Sequence, residues 1–261
     1  MATVDTHCHS SRSWFEPLEV LMMHMERNGV DKAVLVQHRG QYDNSYLLDG
    51  ARDNPGWFAV TGFVDTALSD APETLTAWHA KGMQSVRLAT PGKRGERDNT
   101  STWRKAAELV MPVSTPSNAE EVTEKRFLQL IEELADLPII LEHYGFLGLA
   151  EERWEEGYRE LLLLARYPNV YMKIHGFGEF MPRPFPAREP PFDLAMAPDY
   201  IDRAITAFGA NRLMLATDYP PSAAREGYGN VVALLREYLT RWSTAEQETI
   251  LGKTAERLFG F

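Results

Sequence analysis

The chain begins with an alternation of acid and histidine, Asp5-Thr6-His7-Cys8-His9. Successive side chains of a β-strand point to opposite faces, so we expect Asp5, His7 and His9 on one face and the two residues between them on the other. Two imidazoles that converge at the end of a strand can hold a metal ion or bind an oxyanion. Polar residues near a loop would give the same pattern, so the motif indicates chemistry only together with other sites.

Further ionisable side chains lie at the ends of later apolar, strand-like runs. An acid or a histidine at such a position is costly to bury without a partner or a purpose. These candidates are Arg87; Glu142, His143 and Tyr144; Lys173 and His175; and Asp218 with Tyr219.

Two of these candidates suggest specific roles. A carboxylate beside histidines can accept a proton from water, so Asp218 is a candidate hydrolytic base, with a turn cap as the alternative. The planar guanidinium of Arg87 could bind a substrate carboxylate, with a surface ion pair as the alternative.

The elements that position these residues alternate between short β-rich runs and longer segments with helical periodicity. The predicted strands cover residues 2–9, 32–37, 57–63, 84–88, 111–115, 138–142, 169–174 and 212–217. The predicted helices cover residues 17–28, 45–53, 71–81, 102–109, 119–136, 151–167, 198–208, 230–240 and 244–258. The last helix is preceded by Ser243 and has Glu246 three residues later, which is typical of a capping box.

Eight strand–helix units in sequence predict a parallel sheet, and eight such units close into an α/β fold, the (β/α)8 TIM barrel, here with an additional C-terminal helix. A doubly wound open sheet is the alternative, but it usually carries a Gly-rich phosphate-binding turn after its first strand, and none follows here. We therefore predict a single domain over residues 1–261, with its chemistry at the C-terminal ends of the strands. The proline-rich segment 181–192 is predicted to be a stiff loop over the barrel mouth, or else a surface excursion.

Composition limits the class of protein. The chain has 261 residues, 44% of them hydrophobic, and a formal net charge of −10, which excludes a disordered chain and argues against nucleic acid as a partner. The sequence contains no run of apolar residues long enough to span a membrane, and its start does not resemble a secretory signal. Because its one cysteine, Cys8, cannot form an internal disulfide, we expect a cytoplasmic protein. We expect its partner to be a small-molecule substrate. A homo-oligomer is possible.

Several motifs, in order along nearly the whole chain, resemble the amidohydrolase-related (amidohydrolase-2) family of the amidohydrolase superfamily. They are Asp5-x-His7-x-His9, Gly29 to Val34, Gly62-Phe63-Val64-Asp65, Gly82 to Leu88, Glu142-His143-Tyr144-Gly145, Pro168 to Lys173, Arg212 to Pro220 and Ile250 to Phe259. The resemblance implies a (β/α)8 barrel and hydrolysis at a carbonyl carbon, as in the lactonase branch. It also implies that His7, His9, His143 and Asp218 occupy active-site positions.

The chain departs from the family's metal-dependent members at the fifth strand, where residues 111–117 contain no histidine. A divalent ion, most reasonably zinc, would have His7, His9 and Asp218 as its protein ligands. The metal-free lactonase branch also lacks a histidine at the end of the fifth strand, so we favour a site in which a metal is not obligatory. His175 is unusual for the family, and it could be either a metal ligand or a substrate contact.

The leading hypothesis is a lactonase-type hydrolase of a small anionic substrate. Asp218 activates water, while His7, His9 and His143 polarise the carbonyl group. The predicted substrate-binding residues are Arg87, Lys173, Tyr144, Tyr219 and His175. Two alternatives are a metal-dependent, non-oxidative decarboxylase of an aromatic or unsaturated acid and a catalytically degenerate barrel that binds a small ligand.

Overall fold

A computed structural model describes residues 2–92, 98–146 and 154–261, with the backbone alone described at Phe146. Its eight strands are β1 (Val4–Cys8), β2 (Lys32–Val36), β3 (Phe58–Phe63), β4 (Ser85–Arg87), β5 (Val113–Thr115), β6 (Ile139–Leu141), β7 (Val170–Ile174) and β8 (Leu213–Leu215). All neighbouring strands pair in parallel, in chain order. Backbone bonds from Asp218 N to His7 O (2.7 Å) and from His9 N to Tyr219 O (2.7 Å) join the last strand to the first. The predicted (β/α)8 barrel is confirmed.

Helices follow the strands and cover the outside of the sheet. They are α1 (Leu18–Arg27), α2 (Ser45–Asp53), α3 (Ala71–Ala80), α4 (Thr100–Glu108), α5 (Ala119–Thr123), α6 (Lys125–Glu133), the single turn α7 (His143–Phe146), α8 (Trp154–Leu162), α9 (Tyr200–Phe208), α10 (Tyr228–Leu239), α11 (Thr244–Glu248) and α12 (Thr254–Phe259). None of these described helices is long and apolar enough to cross a membrane.

Two predicted helices are interrupted. The helix expected over 119–136 is two helices, because Glu124 between them is extended (φ −60°, ψ 137°). The helix expected over 151–167 is α8 followed by the 3-10 turn Leu163–Arg166, and residues 151–153 lie outside the described part of the chain.

The additional C-terminal helix is confirmed, and it closes the bottom of the barrel. Ser243 and Glu246 form the predicted capping box at its start, and a π-helical turn, Thr249–Lys253, separates α11 from α12. Ala255 and Phe259 of α12 pack against a cluster of apolar side chains from the strands. These are Val4, Val34, Val36, Ala59, Ile140 and Met214.

An irregularity in β1 determines which residues of the first motif face inward. Asp5 pairs with Ala33 but Cys8 pairs with Leu35, so β1 contains one extra residue between them. Such a bulge changes the alternation of faces. The carboxylate of Asp5 accepts hydrogen bonds from Thr217 N (2.9 Å) and Oγ1 (2.7 Å) rather than joining His7 and His9. The expectation that Asp5 shares their face is therefore wrong.

The lone cysteine packs as the alternation predicts. Cys8 is buried in the layer between sheet and helices, and its thiol donates to Val34 O (3.3 Å).

Candidate active site

The upper half of the barrel is polar, and its centre is one carboxylate oxygen of Asp218. Oδ1 of Asp218 lies 3.5 Å from His9 Nε2, 3.7 Å from His143 Nε2 and 3.8 Å from His7 Nε2. All four side chains are nearly or fully buried. The structure thus brings together the four residues that the sequence analysis assigned to catalysis.

Two charged residues that sequence reasoning missed complete this cluster. Arg225 donates to the second oxygen of Asp218 (2.8 Å), and the same nitrogen lies 2.9 Å from Glu179 Oε1. Glu179 in turn lies 3.2 Å from Nδ1 of His143. Both residues are in loops that follow β7 and β8. The sequence carries many loop acids and arginines, and no spacing distinguishes these two.

The backbone is constrained where these side chains enter the site. His143 (φ 48°), Tyr144 (φ 49°) and Asp218 (φ 54°) adopt left-handed conformations, which are unfavourable for residues with a Cβ. Such residues persist only where the surrounding structure holds them, and they are common at functional sites. This backbone conformation places the imidazole of His143 and the carboxylate of Asp218 at the barrel mouth.

Below the histidines lies a buried layer of ionic contacts. Glu142 accepts two hydrogen bonds from Arg87, at 3.1 Å from Nε and 2.7 Å from Nη2, and one from Ser114 Oγ (2.6 Å). Lys173 Nζ lies 3.9 Å from Glu142, and 3.1 Å from both Ser114 Oγ and His7 Nδ1. Arg87 and Lys173 were predicted to bind an anionic substrate, and both contact the carboxylate of Glu142 within the protein. Contact of either with a substrate stays a prediction.

The remaining predicted site residues divide into two groups. His175 stacks on His143, with 3.9 Å between ring centroids, and neither ring nitrogen has a partner among the described residues. Tyr144 lies behind it, with its hydroxyl donating to His175 O (2.8 Å). The ring of Tyr219 instead packs against His24 and Tyr228, away from the cluster.

Burial and neighbouring charge determine the protonation of the cluster. Burial alone would raise the pKa of Asp218, but the positive charge of His143 and hydrogen bonding by His9 hold it well below its ordinary value. Burial would lower the pKa of His143, yet Asp218 and Glu179 raise it. Burial together with nearby positive charge lowers the pKa of both His7 and His175 well below the usual histidine value. The site therefore favours an ionised Asp218 beside a His143 that can hold a proton.

Three sets of described side chains are close enough to share one metal ion, and the protein's own cations contact each of them. The sets are His7–His9–Asp218, His7–His143–His175 and His143–Glu179–Asp218. A metal-bound histidine normally donates its other ring N–H to an acceptor. The ammonium of Lys173 on Nδ1 of His7 cannot accept such a bond. Arg225 already bridges the two carboxylates of the third set. As arranged here, the predicted ligand set His7, His9 and Asp218 does not fit a metal ion.

Comparison with known sequences identifies one family. The sequence model of the family described as Amidohydrolase matches residues 4–261. A protein named L-fucono-1,5-lactonase, from Burkholderia multivorans, is 26% identical over 265 residues, which cover 91% of this chain and 83% of that protein.

Solved structures share the fold. An amidohydrolase from Burkholderia multivorans with bound HEPES superimposes with a TM-score of 0.80 at 20% identity, covering 100% of both chains. A dihydroxybenzoic acid decarboxylase from Polaromonas sp. JS666 with bound manganese gives a TM-score of 0.71 at 14% identity, covering 99% of this chain and 97% of that one. At these identities the structural likeness establishes the barrel alone.

Proposed function

The chain belongs to the amidohydrolase family, and on that premise we propose that it is a lactonase, which opens the ring ester of a small anionic lactone with water. The observation that carries this proposal is the convergence of three imidazoles on one oxygen of an ionised aspartate. A lactonase name on a relative that aligns over most of both chains supports the same reaction class.

Asp218 is the proton acceptor of the proposed reaction. Its Oδ1 faces the centre, while its Oδ2 is held by Arg225. Water bound at Oδ1 loses a proton to the carboxylate as its oxygen attacks the carbonyl carbon, which gives a tetrahedral intermediate with a negative oxygen. Because the pKa of Asp218 is held low, the carboxylate is ionised and ready to accept.

The histidines act on the two substrate oxygens. His7 directs Nε2, which has no partner among the described residues, toward the centre, where an N–H would stabilise the developing oxyanion. His143 holds a proton between Asp218 and Glu179, and it gives this proton to the ring oxygen when the carbon–oxygen bond breaks. The first product is a carboxylic acid and a hydroxyl group on one open chain. The acid proton, which is the second hydrogen of the attacking water, passes to His143 as the acid becomes a carboxylate, and the proton on Asp218 returns to solvent.

An anionic group of the substrate is bound by arginines at the edge of the site, while contacts with Arg87 and Lys173 stay predictions. Arg183 and Arg188 of the proline-rich loop, together with Arg225, line a cavity of about 180 Å³ beside the mouth. In the described part of the chain neither Arg183 nor Arg188 forms an ion pair with a carboxylate. Guanidinium groups bind carboxylates through paired hydrogen bonds, so this cavity suits a carboxylated lactone.

The proposal is tested with a panel of five- and six-membered lactones, half of them carboxylated, in which a pH indicator measures acid release. Dihydroxybenzoates are assayed in parallel for carbon dioxide release, with and without added zinc or manganese. We expect lactone hydrolysis, fastest for a carboxylated lactone, and no decarboxylation. Carbon dioxide release without lactone hydrolysis would instead identify a decarboxylase, and inactivity towards both classes with retained ligand binding would identify a degenerate barrel.

A further inference from the structure

Lys173 is a fully buried lysine whose ammonium lies under the first histidine of the site. Its Nζ is 3.1 Å from His7 Nδ1 and 3.1 Å from Ser114 Oγ. Ser114 gives its own hydroxyl hydrogen to Glu142 (2.6 Å), so Ser114 must accept from Lys173. A buried charge is stable only when it is paired, and Glu142 at 3.9 Å is the partner.

The ammonium of Lys173 decides what His7 can do. It is held by the carboxylate of Glu142, 3.9 Å from Nζ, and by the oxygen of Ser114, which accepts from it. An ammonium group has donors and no acceptor. Nδ1 of His7 must therefore accept from Lys173, and the ring hydrogen of His7 must lie on Nε2.

The second histidine of the motif has the opposite arrangement. Nδ1 of His9 lies 2.7 Å from the carbonyl oxygen of Val36. A carbonyl oxygen can only accept, so Nδ1 of His9 carries a hydrogen, whereas Nδ1 of His7 does not. Two histidines that are two residues apart on one strand are thus held through Nδ1 in opposite ways.

We propose that Lys173 is a positioning residue that fixes His7 as the Nε2–H tautomer, which makes His7 a hydrogen-bond donor to the substrate oxyanion and prevents it from ligating a divalent cation. The role of His7 as a donor to an oxyanion rests on the proposed lactonase function, which supplies that oxyanion. On this assignment Nε2 of His7 carries a hydrogen and has no lone pair to offer to a metal ion at the mouth of the barrel. Arg225 also disfavours metal binding, because it already pairs with the carboxylates of Asp218 and Glu179.

Substituting Lys173 tests the proposal through metal affinity rather than turnover. Lys173→Gln can place an amide oxygen near Nδ1 of His7, so His7 can donate from Nδ1 and offer Nε2 to a metal. Calorimetric titration of chelator-treated protein with ZnCl2 at pH 7 should show at least tenfold tighter zinc binding by Lys173→Gln than by the unmodified protein. Lys173→Met removes the donor without adding an acceptor, and it should fall between the two. Stoichiometric binding by the unmodified protein, as tight as that of Lys173→Gln, would overturn the proposal.

A second measurement needs no variant at position 173, which matters because a buried substitution can impair folding. Long-range ¹H–¹⁵N spectra report the tautomer of each histidine, and the His7 and His9 signals are assigned from His7→Gln and His9→Gln proteins. We expect Nε2–H at His7 and Nδ1–H at His9. Nδ1–H at His7 in the unmodified protein would refute the role of Lys173, whether or not lactones are hydrolysed. Loss of lactone activity with the expected tautomers would instead count against the proposed function alone.

Discussion

Arg225 binds two carboxylates that flank His143, with one nitrogen 2.8 Å from Asp218 and 2.9 Å from Glu179. In the Arg225→Gln protein, Asp218 loses the group that orients its second oxygen, and the charge balance around His143 becomes more negative. Two charge-assisted hydrogen bonds are worth about 1.5–3 kcal/mol each when partly buried. We expect kcat/KM for the best lactone to fall about 100-fold.

The matched variant Arg225→Lys keeps the positive charge but loses the planar guanidinium, so it should recover part of this loss. The measurement is steady-state kinetics on both variants, with thermal unfolding midpoints to exclude misfolding. A kcat/KM for Arg225→Gln within twofold of the unmodified enzyme would show that the bridge is not required.

At the residue scale, the sequence identified the strand-end groups and missed the loop groups. His7, His9, His143 and Asp218 were predictable because the barrel requires the ends of consecutive strands to meet at one mouth. Arg225 and Glu179 come from loops whose direction depends on tertiary packing. Asp5 was misplaced because a bulge in β1 cannot be seen in a strand-like pattern.

At the scale of elements, the loop after β7 packs on a buried carboxyl group of the segment before α10. Glu226 Oε1 accepts from Gly178 N (3.0 Å). Burial raises the pKa of Glu226 to about 7, although the hydrogen bond from Gly178 and the charge of Arg225 oppose the increase. The ionised form is therefore disfavoured in the folded protein, and the stability of this contact depends on pH.

The sign of the effect follows from proton binding. Between about pH 4.5 and pH 7 the folded state binds more protons at Glu226 than the unfolded state, so the free energy of unfolding falls as the pH rises through this range. The loss is on the order of 3 kcal/mol and is complete above pH 7. Glu226→Gln does not titrate, and its amide can still accept from Gly178. This variant should gain stability relative to the unmodified protein as the pH rises from 5 to 8.

The check is denaturant unfolding at pH 5, 6, 7 and 8, with Glu237→Gln, an exposed carboxylate on α10, as the control. The difference in unfolding free energy between Glu226→Gln and the unmodified protein should grow with pH, and that for Glu237→Gln should not. A constant difference for Glu226→Gln would show that its carboxyl group does not titrate in this range.

The order of elements was predictable from periodicity, but several boundaries were not. Alternating β-rich and helical runs gave the eight parallel strands and the closing helix. The break at Glu124 was missed because apolar residues recur at helical spacing on both sides of it. The structure shows a capping box at Asn118 that starts the short helix α5. A helix this short is unstable alone, and tertiary contacts with α8 stabilise α5.

At the scale of the whole molecule, a net charge of −10 coexists with a local group of arginines beside the active site. A carboxylated lactone is repelled by the molecule as a whole, so its binding depends on this local charge. In the Arg183→Gln/Arg188→Gln protein, KM for a carboxylated lactone should rise about tenfold. KM for a neutral sugar lactone should not change.

Arg159→Gln, which removes an exposed arginine of α8 outside the cavity, controls for net charge. Initial-rate kinetics with the two lactones at fixed ionic strength provide the comparison. An equal change in KM for both lactones, or an equal effect of Arg159→Gln, would mean that the cavity does not recognise the carboxylate.

The measurement that tests the central claim most directly is lactone turnover by Asp218→Asn. The amide keeps the size and shape of the carboxylate and removes the proton acceptor, so kcat should fall about 1,000-fold or more, while the thermal unfolding midpoint remains close to that of the unmodified enzyme. Asp53→Asn, at an exposed position, should retain full activity. Near-normal kcat in a folded Asp218→Asn enzyme would contradict the assignment of Asp218 as the base and, with it, the proposed mechanism.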